Sequence, residues 1–410
     1  MWNNNKLFSG NFTLRLSYLM LFLFNLTIVV FSGDEAKCAA NTRGMCKFAD
    51  LELGRTRYSI VSSEGQIDDS FDVKNKVKRI VLIHGLMGNL ITFHEWRKIL
   101  VNNGYTVLTY DLLGHGESEW KISGFISVEK LVMQLNQLLD KLGWINNGNK
   151  ISLLGVSLGG LISVKYAVTY PDDIDKLVLM CPPGIMTQED SPKLYKLSKS
   201  YEAKLLSNLH RHQKVFRCGI NCLSSMGFYK FGEGISKKER KKEIDELHKH
   251  MSTFIKIGGN NNLFERHLDY YELSKLEEKI GILFLWGIED EVVPFDSSVN
   301  YLAKHFNTTR IVALPFTGHI PKRTMAFPLN ISVRFLDEVN VEDIGVPLGL
   351  VGDSDYFYDY TVNVIKGFNF TYSGGEVIFK VDDTNYPCDF FDLKLCKCCF
   401  LKYNSGELPD

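Results

Sequence analysis

Ile151-Ser-Leu-Leu-Gly155-Val-Ser157-Leu-Gly159-Gly160 is the stretch that decides how the chain folds. An apolar, strand-like run from Ile151 to Val156 stops at a serine with a glycine two residues to either side, and Tyr166 and Ala167 lie in a helix-like run beyond it. A strand that turns at once into a helix must bend its backbone sharply, and glycines beside the bend leave room for it. The serine at the apex then projects away from the sheet, close to the free N–H groups of the next helix, where a nucleophile is well placed. The same junction can serve plain strand–helix packing, so the rest of the chain has to supply what a nucleophile needs.

Upstream, Val77 to Ile83 reads as a strand ending in the continuous apolar run Ile80-Val-Leu-Ile83, as in a sheet covered on both faces. It leads into His84-Gly85-Leu86-Met87-Gly88, a helical stretch from Thr92 to Asn102, a strand from Tyr105 to Tyr110, and the turn Asp111-Leu-Leu-Gly114-His-Gly116-Glu-Ser118. Val128 to Leu142 carries apolar residues at helical spacing. Arg55 to Val61 alternates weakly, as an early strand would. Downstream of Ser157 the pattern predicts a helix over Leu161 to Tyr170 and a strand over Ile174 to Met180. Strands alternating with helices indicate βαβ units and a parallel sheet. The rhythm breaks from Gly184 to about Leu276, a charged stretch of helical period, and resumes with strands at Ile280 to Trp286 and Arg310 to Leu314.

A serine hydroxyl is a weak nucleophile that needs a base oriented by a carboxylate. Asp290, in Trp286-Gly-Ile-Glu-Asp290-Glu-Val-Val-Pro294, follows an apolar strand at the edge where open parallel sheets place their sites. Glu289 and Glu291 flank it as alternatives. His319, in Thr317-Gly-His-Ile-Pro321, is the one among 10 histidines in a small-residue loop just after the last strand. His94, His267 and His305 fall in helical runs, and His210, His212, His248 and His250 in the charged stretch, where they read as surface groups.

Five pieces occur in order: His84-Gly85, Asp111 with Gly114-x-Gly116-x-Ser118, Gly155-x-Ser157-x-Gly159, Asp290 and Gly318-His319. Together they resemble the α/β-hydrolase family over residues 55–340. The resemblance implies an α/β fold with a mostly parallel, doubly wound sheet formed by 55–184 and 277–340. It also implies a helical cap at 185–276, the alternative being a separate helical domain. It assigns Ser157 as nucleophile, His319 as base, Asp290 as the orienting acid, and the backbone N–H groups of Leu86 and Leu158 as oxyanion donors. Leu86 and Leu158, with Met87 and Phe93 as neighbours, would make the pocket apolar. His84 and His115 take structural roles, and neither a metal nor an organic cofactor is required. Serine at 157 argues against epoxide hydrolases and haloalkane dehalogenases, which carry Asp there, and no Gly-x-Ser-Trp-Gly-Gly/Ser run of the proline-iminopeptidase kind occurs. The chain most resembles small serine esterases and monoacylglycerol-lipase-type members, which implies an apolar small-molecule ester, such as an acylglycerol, as substrate. Met186, Met226, Phe228, Tyr229, Met251 and Phe254 either line an acyl pocket or pack within the cap. Acyl transfer, C–C bond hydrolysis by the same groups, and a non-catalytic hydrolase-fold binding protein stand as alternatives.

Composition sets the outer bounds. The 410 residues are 45% hydrophobic and 23% charged, ample for a globular core. A net charge of −1 and the lack of a Lys/Arg stripe interleaved with aromatics exclude a nucleic-acid partner. The run Lys237 to Lys242 reads as a solvated helix face. Leu16 to Phe31 is free of charge, with Lys6 and Arg15 before it and Asp34-Glu35 after it. Residues 1–33 therefore read as a secretory signal, with Val30-Phe31-Ser32 at the cleavage site, or as a retained membrane anchor. Either reading places the hydrolase body in the secretory pathway, lumenal or extracellular.

The nine cysteines fit that compartment. Cys38 and Cys46 fall in the segment 34–54, and Cys388, Cys396, Cys398 and Cys399 in an extension, 341–410. With Cys218 and Cys222 they are expected to form disulfides, whereas Cys181 ends an apolar run and reads as a buried thiol. Zinc held by the last four is the rival, with one C-x2-C pair instead of the usual two. Asn307, Asn330 and Asn369 open glycosylation sequons. In the extension, Tyr356 to Tyr360, Val362 to Ile365, Phe368 to Tyr372 and Glu376 to Val381 read as short strands.

Overall fold

Continuous apolar runs build the middle of one large sheet. A computed structural model describes residues 46–62, 78–121, 125–186, 236–258, 263, 265–314, 317–319, 326–339 and 344–348, together with strands between 369 and 387. The large sheet contains β1 (Lys47–Leu51), β2 (Gly54–Val61), β3 (Lys78–Ile83), β4 (Tyr105–Tyr110), β5 (Ile151–Val156), β6 (Ile174–Met180), β7 (Gly281–Gly287), β8 (Arg310–Leu314) and β9 (Val346–Pro347). Its order is β1-β2-β4-β3-β5-β6-β7-β8-β9. From β4 to β8 every pairing is parallel, and antiparallel strands close both edges. Every residue of β4 and β5 is buried, as sheets covered on both faces require.

Helices pack around the sheet. Among the described residues they are α1 (His94–Asn102), α2 (Val128–Lys141), α3 (Leu158–Thr169), α4 (Lys237–Gly258), α5 (His267–Ser274), α6 (Phe295–Leu302) and α7 (Ala326–Leu336). In α2 the stripe Leu131, Val132, Leu135, Leu138, Leu139 is buried, and Ser127 caps its start by accepting from Lys130 N–H at 3.4 Å. Two helices differ from the periodicity reading. The stretch from Thr92 opens with a 3-10 turn, Leu90–Phe93, capped by Asn89, before α1 begins at His94. The helix predicted from Leu161 begins three residues earlier, at Leu158. Gly159 and Gly160 are poor helix formers, yet they occupy its first turn because of a close approach. A Cβ on Gly159 would sit 1.9 Å from the Ile83 carbonyl oxygen, so only glycine lets α3 settle against β3.

Register aligns the ends of the parallel strands. Ile83 pairs with Gly155, Val156 with Met180, and Gly287 with Leu314. The segments that follow β3, β5, β6, β7 and β8 therefore emerge along one edge of the sheet.

The sheet reaches beyond the expected boundaries, since β1 lies in the 34–54 segment and β9 beyond residue 340. Within 185–276, α4 docks on the turn after β4. Thr253 donates to the Gly114 carbonyl at 2.8 Å, Ile126 N–H donates to the Lys256 carbonyl at 3.1 Å, and Lys249 donates to the Gly116 carbonyl. Lys237, Lys238, Arg240 and Lys241 of α4 are exposed, as a solvated face requires. Met226, Phe228, Tyr229, the leader and all cysteines except Cys46 and Cys181 lie outside the described residues, as do the side chains of Met251 and Phe254. Cys46 sulfur accepts from Arg57 at 3.7 Å, and Cys181 is buried. Among the described residues no helix is long and apolar enough to cross a membrane.

In the extension, β10 (Asn369–Ser373), β11 (Glu376–Val381) and β12 (Thr384–Pro387) form a separate antiparallel sheet. The first two match predicted strands, while β12 was not predicted. The proposed strands around 356–365 lie outside the described residues.

The Gly159 contact is directly testable. Gly159→Ala is expected to lower unfolding free energy by about 3 kcal/mol, because the obstacle is fixed backbone. Gly281→Ala, whose added methyl meets the side chains of Lys176 and Phe335 at 3.1 and 3.4 Å and no backbone atom, is expected to cost less, about 1 kcal/mol, in the same urea titration.

Candidate active site

Ser157 stands between β5 and α3 at φ 53°, ψ −120°. Its N–H donates to the Met180 carbonyl at 2.8 Å, and its carbonyl accepts from Leu161 N–H at 3.1 Å. These bonds hold the backbone in a region that side-chain-bearing residues rarely occupy, at a cost of about 1–3 kcal/mol. The hydroxyl is left half-buried at the sheet edge.

Asp290 lies in the loop after β7, and its side chain is fully buried. One carboxylate oxygen accepts from the N–H groups of Val292 and Val293, at 2.9 and 2.8 Å. The neighbouring Trp286 indole donates to the Val293 carbonyl at 3.0 Å and pins that loop. The other carboxylate oxygen faces His319 Nδ1 at 2.8 Å, and His319 Nε2 faces Ser157 Oγ at 2.8 Å. Placing the ring proton on Nδ1 satisfies both contacts: Nδ1–H donates to Asp290, and Ser157 O–H donates to Nε2. Glu289 and Glu291 are exposed, so the carboxylate that meets the imidazole is Asp290. His319 is held close because its loop packs on β7: a Cβ on Gly287 would lie 2.2 Å from the Thr317 carbonyl oxygen, and Glu289 N–H donates to that oxygen at 3.0 Å.

The segment after β3 folds over the serine. A Cβ on Gly85 would come within 3.2 Å of Ser157 Cβ and 3.8 Å of its Oγ, so the Gly85–Leu86 peptide lies beside Ser157. Leu158, at the head of α3, is buried and Leu86 half-buried. Met87 and Phe93 are buried too, and Phe93 packs edge-on against Trp96 in the core.

His84 shapes that segment. Its Nε2 accepts from Leu112 N–H at 3.0 Å, so Nδ1 carries the proton and donates to the Gly85 carbonyl at 2.8 Å. Burial pushes its pKa down to about 4, and the ring stays neutral. Asp111 ties the same segment to the turn after β4, accepting from Leu90 N–H at 2.8 Å and Glu117 N–H at 2.9 Å. Burial raises its carboxyl to about 6, against those two N–H donors and the Arg57 guanidinium 3.6 Å away. For Arg57, burial acts to lower the pKa, but Asp111, Cys46 and Glu117 outweigh it and hold the group raised.

Sequence reasoning placed all five proposed site residues on this edge. It missed Val292 and Val293 as anchors of the carboxylate, because backbone donors leave no residue-type signal. It also missed Cys181, whose sulfur lies within 4.8 Å of both an Asp290 carboxylate oxygen and a His319 ring nitrogen.

An elbow serine in hydrogen-bond contact with a carboxylate-backed imidazole, on the carboxyl edge of a doubly wound sheet, defines the chain as an α/β hydrolase. More narrowly, it belongs to the serine aminopeptidase S33 family, whose model matches residues 74–311. The chain is 28% identical over 250 residues to Lipase 1 of Psychrobacter immobilis, an alignment covering 59% of this chain and 71% of the lipase. It is 22% identical over 244 residues to monoacylglycerol lipase ABHD6 of Mus musculus, covering 58% and 69%. It is 26% identical over 274 residues to a 2-hydroxy-6-oxononadienedioate/2-hydroxy-6-oxononatrienedioate hydrolase of Cupriavidus pinatubonensis (strain JMP 134 / LMG 1197), covering 65% and 86%.

His84 and Asp111 carry opposite pH signatures. An imidazole held near pKa 4 contributes stability that is complete above its ordinary 6.5 and is lost as pH falls toward 4. The raised Asp111 carboxyl opposes folding above about pH 6, and that opposition fades as pH falls through this value. Between pH 7.5 and 5, His84 accounts for a loss of about 2 kcal/mol. His84→Gln, which cannot titrate, is expected to lose about 2 kcal/mol less than wild type over that interval, measured by urea unfolding at both pH values.

Proposed function

We propose that the protein is a serine carboxylic-ester hydrolase acting on an apolar, lipid-like ester such as an acylglycerol, with Ser157, His319 and Asp290 as its catalytic residues. The observation that supports this most is the pair of 2.8 Å contacts linking Asp290 to His319 and His319 to Ser157. Ser157 Oγ attacks the ester carbonyl while His319 Nε2 takes its proton, and Asp290 stabilises the imidazolium through Nδ1–H. The oxyanion is received by the N–H groups of Leu86 and Leu158, each such donor being worth about 2.7–4 kcal/mol. His319 then delivers its proton to the leaving alcohol oxygen as the C–O bond breaks, leaving an acyl-Ser157 ester. Water attacks that ester with His319 as base, releasing the acid and restoring the serine hydroxyl.

Three features support the apolar ester. Leucines supply both oxyanion donors, the buried Met186 follows β6 at the start of the cap, and two of the similar proteins carry the name lipase. The apolar run Leu16 to Phe31 supports a secretory-pathway location. A second reading, C–C bond hydrolysis by the same three groups, is favoured by the similarity to the 2-hydroxy-6-oxononadienedioate hydrolase.

A chain-length series of p-nitrophenyl and glyceryl esters tests the proposal. Wild type is expected to hydrolyse at least one length class and to be labelled by a fluorophosphonate probe, while Ser157→Ala does neither. Asp290→Asn is expected to lower kcat about 10⁴-fold. Equal rates for wild type and Ser157→Ala on every ester reject the proposal, and a folded wild type that resists the probe favours a binding protein on the same scaffold.

A further inference from the structure

The Gly85–Leu86 peptide crosses beside Ser157, since a Cβ on Gly85 would lie 3.8 Å from the serine Oγ. A trans peptide is planar, and its C=O and N–H point in opposite directions. Whatever fixes the Gly85 carbonyl therefore aims the Leu86 N–H. Two donors reach that carbonyl: His84 Nδ1 at 2.8 Å and Gly88 N–H at 3.0 Å. Both of its acceptor positions are thereby used. The Gly88 bond closes a turn over Leu86 and Met87, with Met87 at φ 66°. That bond takes the N–H of the turn's last residue, so the N–H of Leu86 stays outside the turn's own bonding.

The imidazole is itself pinned. It is 0% exposed, and its Nε2 accepts from Leu112 N–H at 3.0 Å. Gly88 packs on the ring: a Cβ there would lie 3.0 Å from Nδ1. With Nε2 committed as acceptor, Nδ1 carries the proton. Burial holds the ring pKa down at about 4 and keeps it neutral in that one tautomer. The bond to Gly85 also acts on polarity. A donor on a peptide carbonyl shifts electron density toward the oxygen and makes the N–H of the same peptide a better donor. Polarisation thus runs in one direction, from Leu112 N–H through the imidazole and the Gly85 carbonyl to Leu86 N–H.

We propose that His84 is a positioning residue for the oxyanion: its Nδ1–H, through the Gly85 carbonyl, aims and polarises the Leu86 N–H toward the oxygen that becomes negative when Ser157 attacks. No proton leaves the ring. The two ring nitrogens then have separate duties, Nδ1 toward the reaction and Nε2 toward the fold. The inference rests on the Ser157–His319–Asp290 reading with Leu86 as a donor.

The nitrogens can be replaced one at a time in the full chain. In His84→Asn the amide nitrogen takes the place of Nδ1 and keeps a donor for the Gly85 carbonyl, while the acceptor for Leu112 is lost. In His84→Gln the longer side chain brings its amide oxygen to the place of Nε2, which keeps that acceptor and loses the donor. Each variant gives up one buried hydrogen bond, so the melting temperature is expected to fall in both. On a p-nitrophenyl ester, His84→Gln is expected to lower kcat about tenfold or more with KM nearly unchanged, the mark of an interaction made only in the transition state. His84→Asn is expected to stay within about threefold of wild type. Labelling by a fluorophosphonate probe, which builds charge on a phosphoryl oxygen at the same position, is expected to slow in the same pattern. A histidine that only holds the fold would make both rates follow the melting temperature in the two variants alike. Equal rates in the two variants, or a loss confined to His84→Asn, overturn the proposal. If either variant does not fold, Gly88→Ala decides, because its methyl crowds Nδ1 away from the Gly85 carbonyl. A folded Gly88→Ala labelled about tenfold more slowly supports the proposal, and one labelled at the wild-type rate overturns it. Probe labelling needs no ester, so the Asn–Gln split without ester hydrolysis would reject the ester proposal and leave this one standing. Ester hydrolysis abolished by Ser157→Ala but unchanged in His84→Gln would do the reverse.

Discussion

At residue 157 the backbone passes from strand to helix within one residue, at φ 53° and ψ −120°, and the rest of the molecule is arranged to hold it there. Strain of this kind survives only where the surroundings over-determine the conformation. Here the Ser157 N–H is fixed on the neighbouring strand through the Met180 carbonyl, and the helix begins at the very next residue. Gly159 completes the arrangement by letting the helix backbone touch the carbonyl of Ile83. Because Ile83 ends β3, the same contact sets where the following segment, Gly85 and Leu86, crosses the serine. The conformation of Ser157 and the placement of the Gly85–Leu86 peptide beside it thus share one steric cause.

Around this elbow, buried polar groups take the place that water would have. His84 and Asp111 each join one site-edge segment to the turn after β4 through hydrogen bonds to backbone N–H or C=O groups, and Arg57 pairs with the Asp111 carboxylate. Burial moves both groups toward their uncharged forms, which is the expense of keeping polar anchors in a dry interior. The Gly114–Gly116 turn beside them also receives α4, through Thr253 and Lys249. One turn therefore organises the segment after β3 on one side and carries α4 on the other.

Likeness to known proteins and geometry speak to different questions. Membership of the S33 family, with lipases among the similar proteins, sets the class as a hydrolase. Similarity extends equally to a 2-hydroxy-6-oxononadienedioate/2-hydroxy-6-oxononatrienedioate hydrolase, so the fold is shared by proteins named for different scissile bonds. One fold hosts many substrates, and the choice among them is made by the residues around the site and not by the architecture.

The sequence by itself determined the alternation of strands and helices, the parallel core, the sharp turn at Ser157 and the order serine, aspartate, histidine. Apolar continuity and periodicity report local backbone conformation, and glycine spacing reports close approach, so these features were open to reading. It did not reveal that α3 starts at Leu158, because there glycine's poor helix propensity is overruled by a contact with Ile83, on a strand distant in the chain. Nor did it separate Asp290 from Glu289 and Glu291 on residue type alone, since only burial distinguishes three adjacent acids. The edge strands β1 and β9 and the approach of Cys181 to Asp290 follow from strand pairing and register. Register is fixed by packing across the whole sheet, and only tertiary structure decides which loops then meet.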